Sequence, residues 1–94
     1  MHVMDLDWDD IKTVLHVVRE GTLGRAATQL GVNYTTVARR VARAEQRLGR
    51  KLFERLSDGY LPTELGHLVA QHAERMEAQD HALMRGLSGR DDTL

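Results

Sequence analysis

Three features of the sequence predict a mainly α-helical protein with a three-helix core, a two-stranded wing and a long final helix. Three stretches with helical apolar spacing are each followed at once by a glycine, namely Gly21, Gly31 and Gly49. Glycine tolerates the positive φ that a residue just past a helix end usually adopts. Two short, half-apolar stretches then flank Ser57-Asp58-Gly59, which is typical of a β-hairpin. The order is that of a winged helix-turn-helix followed by a dimerisation or linker helix.

The first helix is predicted to begin after Asp7 and to end at Gly21. Asp7 can act as the N-cap, and Asp9 and Asp10 fall in the first turn, where the helix macrodipole favours acidic groups. The apolar stripe that should face the core comprises Trp8, Ile11, Val14, Leu15, Val17 and Val18.

The second and third helices are predicted to be joined by a tight turn. Thr22 caps a helix from about Leu23 to Leu30, and Asn33 caps one from about Tyr34 to Leu48. In both cases the side chain is expected to accept a backbone N–H that would otherwise lack a partner.

A hairpin and a long helix follow. The strands are expected at Lys51–Arg55 and Tyr60–Pro62, with proline at a strand end because it donates no hydrogen bond. Thr63 can cap the fourth helix, which should run from Glu64 to about Arg85 or Leu87. We therefore divide the chain into a winged helix-turn-helix domain (1–63), a linker or dimerisation helix (64–87) and the start of a hinge (88–94).

The composition limits the function classes. The chain has 94 residues and no cysteine, which suits one small domain in a reducing cytoplasm. It has neither a membrane-spanning apolar run nor a secretory signal pattern. Its five histidines offer no i, i+4 metal pair, and it lacks a GxxxxGK[ST] loop. We expect that the protein is not an enzyme, that it binds no cofactor and that it has no membrane partner.

The charges along the chain are unevenly distributed. The net charge is −1, which alone would argue weakly against nucleic acid. However, residues 25–55 hold eight basic and two acidic residues, a local charge of +6. DNA affinity depends on local phosphate contacts rather than on total charge. The basic segment coincides with the helix-turn-helix, and this favours DNA binding over a merely solvated helix face.

The third helix has two distinct faces. At 100° per residue the apolar residues Val37, Val41, Ala44 and Leu48 share one sector that must face the core. The opposite direction holds Thr35, Arg39, Ala42, Gln46 and Arg50. Thr35 and Arg39 are the expected base readers, since threonine can touch a thymine methyl and arginine pairs bidentately with guanine.

Other residues of the third helix have expected roles beside those base readers. Arg40, Arg43 and Arg47 are expected to contact phosphates. Tyr34 can either contact a sugar–phosphate or pack against the preceding helix.

The sequence from Leu6 to about Leu87 resembles the N-terminal winged helix-turn-helix of LysR-type bacterial transcriptional regulators. The matching landmarks are Glu20-Gly21, Arg25-Ala26-Ala27, Leu30-Gly31-Val32, Val37-Ala38-Arg39-Arg40, Leu48-Gly49, Leu52-Phe53-Glu54-Arg55 and Thr63-Glu64-Leu65-Gly66. The resemblance implies sequence-specific binding to double-stranded DNA by a dimer on an interrupted palindrome. It also implies a wing that reaches toward the minor groove, and an effector domain after the linker helix.

These considerations give two sets of expected site residues. The DNA-binding set is Asn33, Tyr34, Thr35, Thr36, Arg39, Arg40, Arg43, Arg47, Arg55 and Ser57. The dimerisation set on the fourth helix is Leu65, Val69, His72, Met76, Leu83 and Leu87, whose spacing approximates a coiled-coil seam. Alternatively, the first turns of that helix pack on the core. Leu83 and Leu87 lie beyond its reach.

The chain is expected to be an excised DNA-binding fragment rather than a naturally short protein, and to carry no inducer pocket. A tetramer would then require the effector domain. We expect a cytoplasmic, nucleoid-associated protein. The competing function is a winged-helix module that pairs with another regulator and modulates it, since fold alone does not fix function.

Overall fold

A computed structural model of the chain describes residues 6–93, with side chains described for 6–89. The order of elements is three helices, a hairpin and a fourth helix, as the sequence predicted. Their bounds are α1 (Trp8–Glu20), α2 (Leu23–Leu30), α3 (Tyr34–Leu48), β1 (Phe53–Leu56), β2 (Gly59–Pro62) and α4 (Glu64–Thr93). The strands pair antiparallel, with Phe53 opposite Pro62 and Leu56 opposite Gly59.

The glycine stops are confirmed, but two of the predicted side-chain caps are wrong. Gly21, Gly31 and Gly49 all have positive φ, between 68° and 80°. Thr22 and Thr63 accept backbone N–H groups through their hydroxyls. Asp7 and Asn33 occupy N-cap positions, but their side chains make no cap hydrogen bond. Extended backbone at these two residues is therefore enough to begin α1 and α3.

The core is built around α1, which contacts each of the other three helices. One cluster of buried apolar residues joins α1 to α2, α3 and β1, and includes Val14, Val17, Ala26, Val37 and Leu52. A second cluster joins Leu15 of α1 to Ala70 and Ala73 of α4. The helix-turn-helix and the start of the long helix therefore share α1 as their common support.

The wing is fixed at two points, one next to its turn and one at its base. The backbone N–H of Tyr60 donates to the carbonyl oxygen of Gly21 at 2.8 Å, and a Cβ at position 59 would lie 2.6 Å from that oxygen. On the other strand, Glu45 accepts from the backbone N–H groups of Leu52 and Phe53 at 2.8 and 3.3 Å. The hairpin is thus attached to the end of α1 and to the side of α3.

The fourth helix is longer than predicted. It was expected to end at Arg85 or Leu87, but it continues as a regular helix to Thr93. The predicted hinge segment 88–94 is therefore helical up to residue 93, and Leu94 lies outside the described residues, as do residues 1–5. Near its start, Gly66 lets α4 approach the wing so closely that a Cβ there would overlap the carbonyl oxygen of Leu52.

Candidate nucleic-acid interface

The structure leaves one face of α3 open to solvent. Thr35, Arg39, Ala42 and Gln46 are exposed on the side opposite the buried Val37, Val41 and Ala44, and Arg50, which was predicted to extend this face, is exposed beyond the end of α3. Within the described part of the chain, Arg39 takes part in no ion pair or side-chain hydrogen bond. Asn33 is exposed beside this face, and Thr36 is half-buried. The guanidinium of Arg39 and the hydroxyl of Thr35 are therefore accessible on the N-terminal half of the exposed face of α3.

The three arginines expected to contact phosphates lie instead on the flank of α3 that faces α1. Arg40 donates to the hydroxyl of Thr13 at 3.4 Å. Arg43 donates to both carboxylate oxygens of Asp10, at 3.0 and 2.5 Å. Arg47 lies 3.5 Å from a carboxylate oxygen of Asp7 and 3.7 Å from one of Asp10. The structure does not group these arginines with Thr35 and Arg39, because α1 supplies them with partners.

Asp10 is the residue that sequence reasoning missed. Its side chain is 0% exposed, although it was interpreted only as a first-turn acid. The available signal was its spacing, because Val14 and Val17 follow it by four and seven residues and share its face of α1. The hydrogen bond and the charge of Asp10 raise the pKa of Arg43 above its ordinary value, so Arg43 stays protonated.

Tyr34 borders an open groove between the start of α2 and the wing. The groove has a volume of about 380 Å³, and Leu23, Gly24, Ser57 and Tyr60 also line it. Tyr34 is 54% exposed, so it is not buried against α2. The guanidinium of Arg55 lies 5.6 Å from the centre of the Tyr60 ring. Arg55 and Ser57 are both exposed, so the wing presents a cation and a hydroxyl beside the groove.

The residues predicted for dimerisation do not form one exposed seam. Leu65 and Val69 are half-buried and pack on the chain's own core, as the alternative interpretation of these first turns expected. His72 and Met76 are exposed, and Leu83 and Leu87 are 56% and 47% exposed, with Met84 beside them. The first turns of α4 therefore belong to the domain, and its far half has an uncovered apolar surface.

A charged cluster marks the place where α4 leaves α1. Arg19 donates to Glu77 at 2.9 Å, and this hydrogen bond lowers the pKa of the Glu77 carboxyl. His16 lies 3.7 Å from Glu77. Burial of the imidazole lowers the pKa of His16 despite the opposing charge of Glu77. The cluster therefore favours neutral His16 beside ionised Glu77.

No metal-binding cluster of His, Cys, Asp or Glu occurs among residues 6–89, whose side chains the structure describes. Within the same range, every helix is too short or too polar to cross a membrane. The pockets near α3 are open grooves, so the exposed surface of α3 and the wing remains the main candidate site.

Comparison with known proteins identifies relatives of this architecture. Residues 8–67 match the family described as bacterial regulatory helix-turn-helix protein, lysR family. The Mau operon transcriptional activator of Paracoccus denitrificans is 36% identical over 89 residues, which cover 95% of this chain and 31% of that protein. The chain thus spans about a third of the length of this relative.

Two solved structures share both the fold and part of the sequence. Full-length LTTR LysG of Corynebacterium glutamicum matches with a TM-score of 0.80 and 28% identity, covering 92% of this chain and 30% of that one. A CbnR_DBD–DNA complex matches with a TM-score of 0.75 and 26% identity, covering 95% of this chain and all of that one. The second match spans the whole of a chain crystallised with DNA.

Proposed function

The chain belongs to the lysR family of bacterial regulatory helix-turn-helix proteins, and from this premise we propose that it binds specific sequences of double-stranded DNA as part of a transcriptional regulator. The observation that carries the proposal is the exposed face of α3, where Arg39 has no ion pair or side-chain hydrogen bond with the residues that the structure describes. The match to a chain crystallised with DNA supports the same assignment.

Thr35 and Arg39 are the proposed base readers. Both are exposed on the N-terminal half of α3, the part of a recognition helix that meets base edges in the major groove. A guanidinium can donate two parallel hydrogen bonds to guanine, and a threonine methyl can contact thymine. Tyr34 and Asn33 flank them at the start of the helix.

The wing is proposed to contact the sugar–phosphate backbone next to the major-groove site. Arg55 and Ser57 are exposed on it, and the two attachments of the hairpin to α1 and α3 hold them in place relative to Arg39. Phosphate contacts of this kind fix the register of the protein on DNA without reading sequence.

The functional unit is proposed to be a homodimer through the far half of α4. Leu83 and Leu87 lie roughly 27 Å or more from Leu65 along the helix, at about 1.5 Å per residue, and are therefore too far away to reach the core of their own domain. A second copy of α4 would cover them and hold two α3 helices at a fixed separation. Such a dimer would read an interrupted palindrome in the bacterial cytoplasm, and an effector domain would belong to the longer regulator.

The competing function, a module that only pairs with another regulator, is not favoured. A protein-binding surface is usually depleted of charge at its centre. The exposed face of α3 instead carries Arg39, and Arg50 is exposed just after the end of the helix.

The test of this proposal is binding of random genomic duplexes across a salt series, followed by selection of the preferred site. Arg39→Ala should weaken binding to that site by about 1–3 kcal/mol and relax the preference at one base pair of each half-site. Gln46→Ala, a change on the same face nearer the C-terminal end of α3, is the matched control and should keep the site preference. A chain that binds no duplex at low salt contradicts the function. Uniformly weaker binding by Arg39→Ala with unchanged preference makes Arg39 a phosphate contact.

A further inference from the structure

The carboxylate of Asp10 is fully buried, and its ion-pair partners are arginines of α3. Arg43 binds both of its oxygens, and Arg47 approaches one of them at 3.7 Å. A buried carboxylate that loses its partner is left uncompensated in a poorly solvated site, which is strongly unfavourable. Asp10 therefore holds Arg43 more firmly than an exposed acid would.

Arg43 lies next to the proposed DNA-binding face without belonging to it. It is one helical turn beyond Arg39, and its side chain is 37% exposed, yet its guanidinium is turned toward α1. An arginine at this position of a free helix would be within reach of a DNA phosphate. Here, a phosphate contact by Arg43 would require breaking the bidentate pair with Asp10.

Withholding one cation lowers the sequence-independent part of the DNA affinity. Phosphate contacts supply essentially all non-specific affinity, whereas base contacts supply the discrimination. Removing a potential phosphate contact lowers the affinity for every duplex alike and leaves the contribution of Thr35 and Arg39 to discrimination unchanged. It also lowers the number of counterions that are released on binding any sequence.

We propose that Asp10 is a positioning residue that acts through Arg43: it keeps this arginine from contacting DNA phosphates and so limits sequence-independent binding. The inference rests on the proposed DNA-binding function and adds to it a group that touches no DNA. It replaces the expectation that Arg43 is a phosphate contact. The proposal does not extend to Arg47, because Arg47 lies near the exposed Asp7 as well as near Asp10.

The experiment compares wild type with Asp10→Asn in binding to an unrelated duplex and to the selected site, from low to moderate salt. Asparagine keeps the shape of the side chain and removes its charge. Asp10→Asn should bind the unrelated duplex more tightly, with a log–log salt slope steeper by about 0.9 for one phosphate gained. The selected site should gain affinity by the same factor, so the ratio of specific to non-specific affinity should stay unchanged. Asp9→Asn is the matched control, because it removes the same charge from an exposed neighbour, and it should leave the slope unchanged.

Two further variants identify the released arginine. Arg43→Gln should keep the wild-type slope, whereas loss of a phosphate contact would reduce the slope by about 0.9. The double variant Asp10→Asn with Arg43→Gln replaces the ion pair by two neutral side chains. Its salt slope should return to the wild-type value. A double variant that keeps the steeper slope shows that Arg47 is the released group, and this overturns the role of Arg43.

The outcomes separate the two proposals. A wild-type chain that binds no duplex contradicts the DNA-binding function itself. A wild-type chain that binds, together with a folded Asp10→Asn variant of unchanged slope, overturns the role of Asp10. Thermal melting followed by circular dichroism establishes that each variant is folded. If Asp10→Asn does not fold, Arg43→Gln decides: an unchanged slope supports the proposal and a reduced slope overturns it.

Discussion

The two halves of α4 form one continuous helix, yet they are in different environments. In the first half, Ala70 and Ala73 are buried against Leu15 of α1, and Gly66 lies against the wing. In the second half, Leu83, Met84 and Leu87 are exposed. The first half thus has its packing partner within the chain, whereas the described residues leave the apolar side chains of the second half uncovered. The comparison shows that a helix can be continuous in backbone while only part of it belongs to the folding unit.

The largest expected effect comes from placing charge on the second half. Replacing both Leu83 and Leu87 by Asp should give a folded monomer, because the changed side chains lie outside the core and charge is unfavourable in an apolar dimer interface. DNA binding should weaken by roughly 100-fold or more, since the second half-site contact would no longer be intramolecular. Sedimentation and duplex binding measure the two consequences.

The matched control is the pair Ala78→Asp and Ala82→Asp, which adds the same charge at exposed positions on a different side of α4. This pair should remain dimeric. A leucine-to-aspartate variant that stays dimeric, or a wild type that is monomeric at high concentration, would contradict the assignment of the second half.

A glycine-to-alanine change should lower the free energy of unfolding in the first half of α4 and raise it in the second half. Gly66→Ala forces a Cβ into the carbonyl of Leu52 and should destabilise the fold by roughly 1–3 kcal/mol, as overpacking does. At Gly86 the same Cβ meets nothing within 4 Å, so Gly86→Ala should raise helicity and stabilise by up to about 1 kcal/mol. Chemical denaturation with circular dichroism compares them. Equal effects at the two positions would show that the halves do not differ.

An alanine-to-leucine pair tests the packing of the first half more gently. Ala73 is fully buried against α1, so Ala73→Leu should lower the free energy of unfolding by about 1–3 kcal/mol. Ala78→Leu, at an exposed position five residues later, should change it by less than about 0.5 kcal/mol. If the two variants are equally stable, the contact between α1 and α4 accommodates a larger side chain at position 73, and the close packing of Ala73 does not limit stability.

The smallest expected effect is a pH dependence at the boundary between the halves. The pKa of His16 is lowered in the fold, chiefly by burial, so on acidification below its ordinary value of 6.5 the unfolded chain binds the proton first. The stability from neutral His16 is therefore complete above pH 6.5 and is lost as the pH falls through the folded pKa. Glu77 contributes in the same direction at a lower pH, because the hydrogen bond from Arg19 lowers its pKa below 4.5.

The melting temperature of the wild type should consequently be lower at pH 5 than at pH 7.5. His16→Gln should show a smaller difference between these two pH values. His72→Gln, a change at an exposed histidine of α4, should keep the wild-type difference. A His16→Gln variant with an unchanged pH dependence would show that the imidazole does not cause it.

The order of elements and most of their bounds could be predicted because the signals are local. A positive φ after each of three helices calls for glycine, and Ser57-Asp58-Gly59 forms a turn whatever surrounds it. The end of α4 could not be predicted in this way. Gly86 and Gly89 look like stop signals, yet each costs only about 1 kcal/mol in a helix, and the structure keeps both inside α4.

The candidate site was predictable only in part. Periodicity places Arg39 opposite Val37 and Val41, and the structure leaves it exposed as expected. The same periodicity places Arg43 near that face, but it does not say which neighbouring element packs alongside. The pairing of Arg43 with Asp10 joins residues 33 positions apart, so it depends on the crossing of α1 and α3 and carries no local signal beyond the apolar spacing of Asp10 itself.

The attachment of Gly59 and Tyr60 to the carbonyl of Gly21 lies at the turn end of the wing, directly after Ser57 and Asp58. The contact leaves no room for a side chain at position 59, whereas Ser57 and Asp58 beside it are exposed. The hairpin is therefore held at both ends, by Glu45 at Leu52 and Phe53 and by Gly21 next to the turn. Residues inserted between Ser57 and Asp58 would enlarge the loop beyond this attachment while the direction of the two strands stayed the same. A wing grafted from another protein would need a glycine at the position of Gly59 to make the same contact with Gly21.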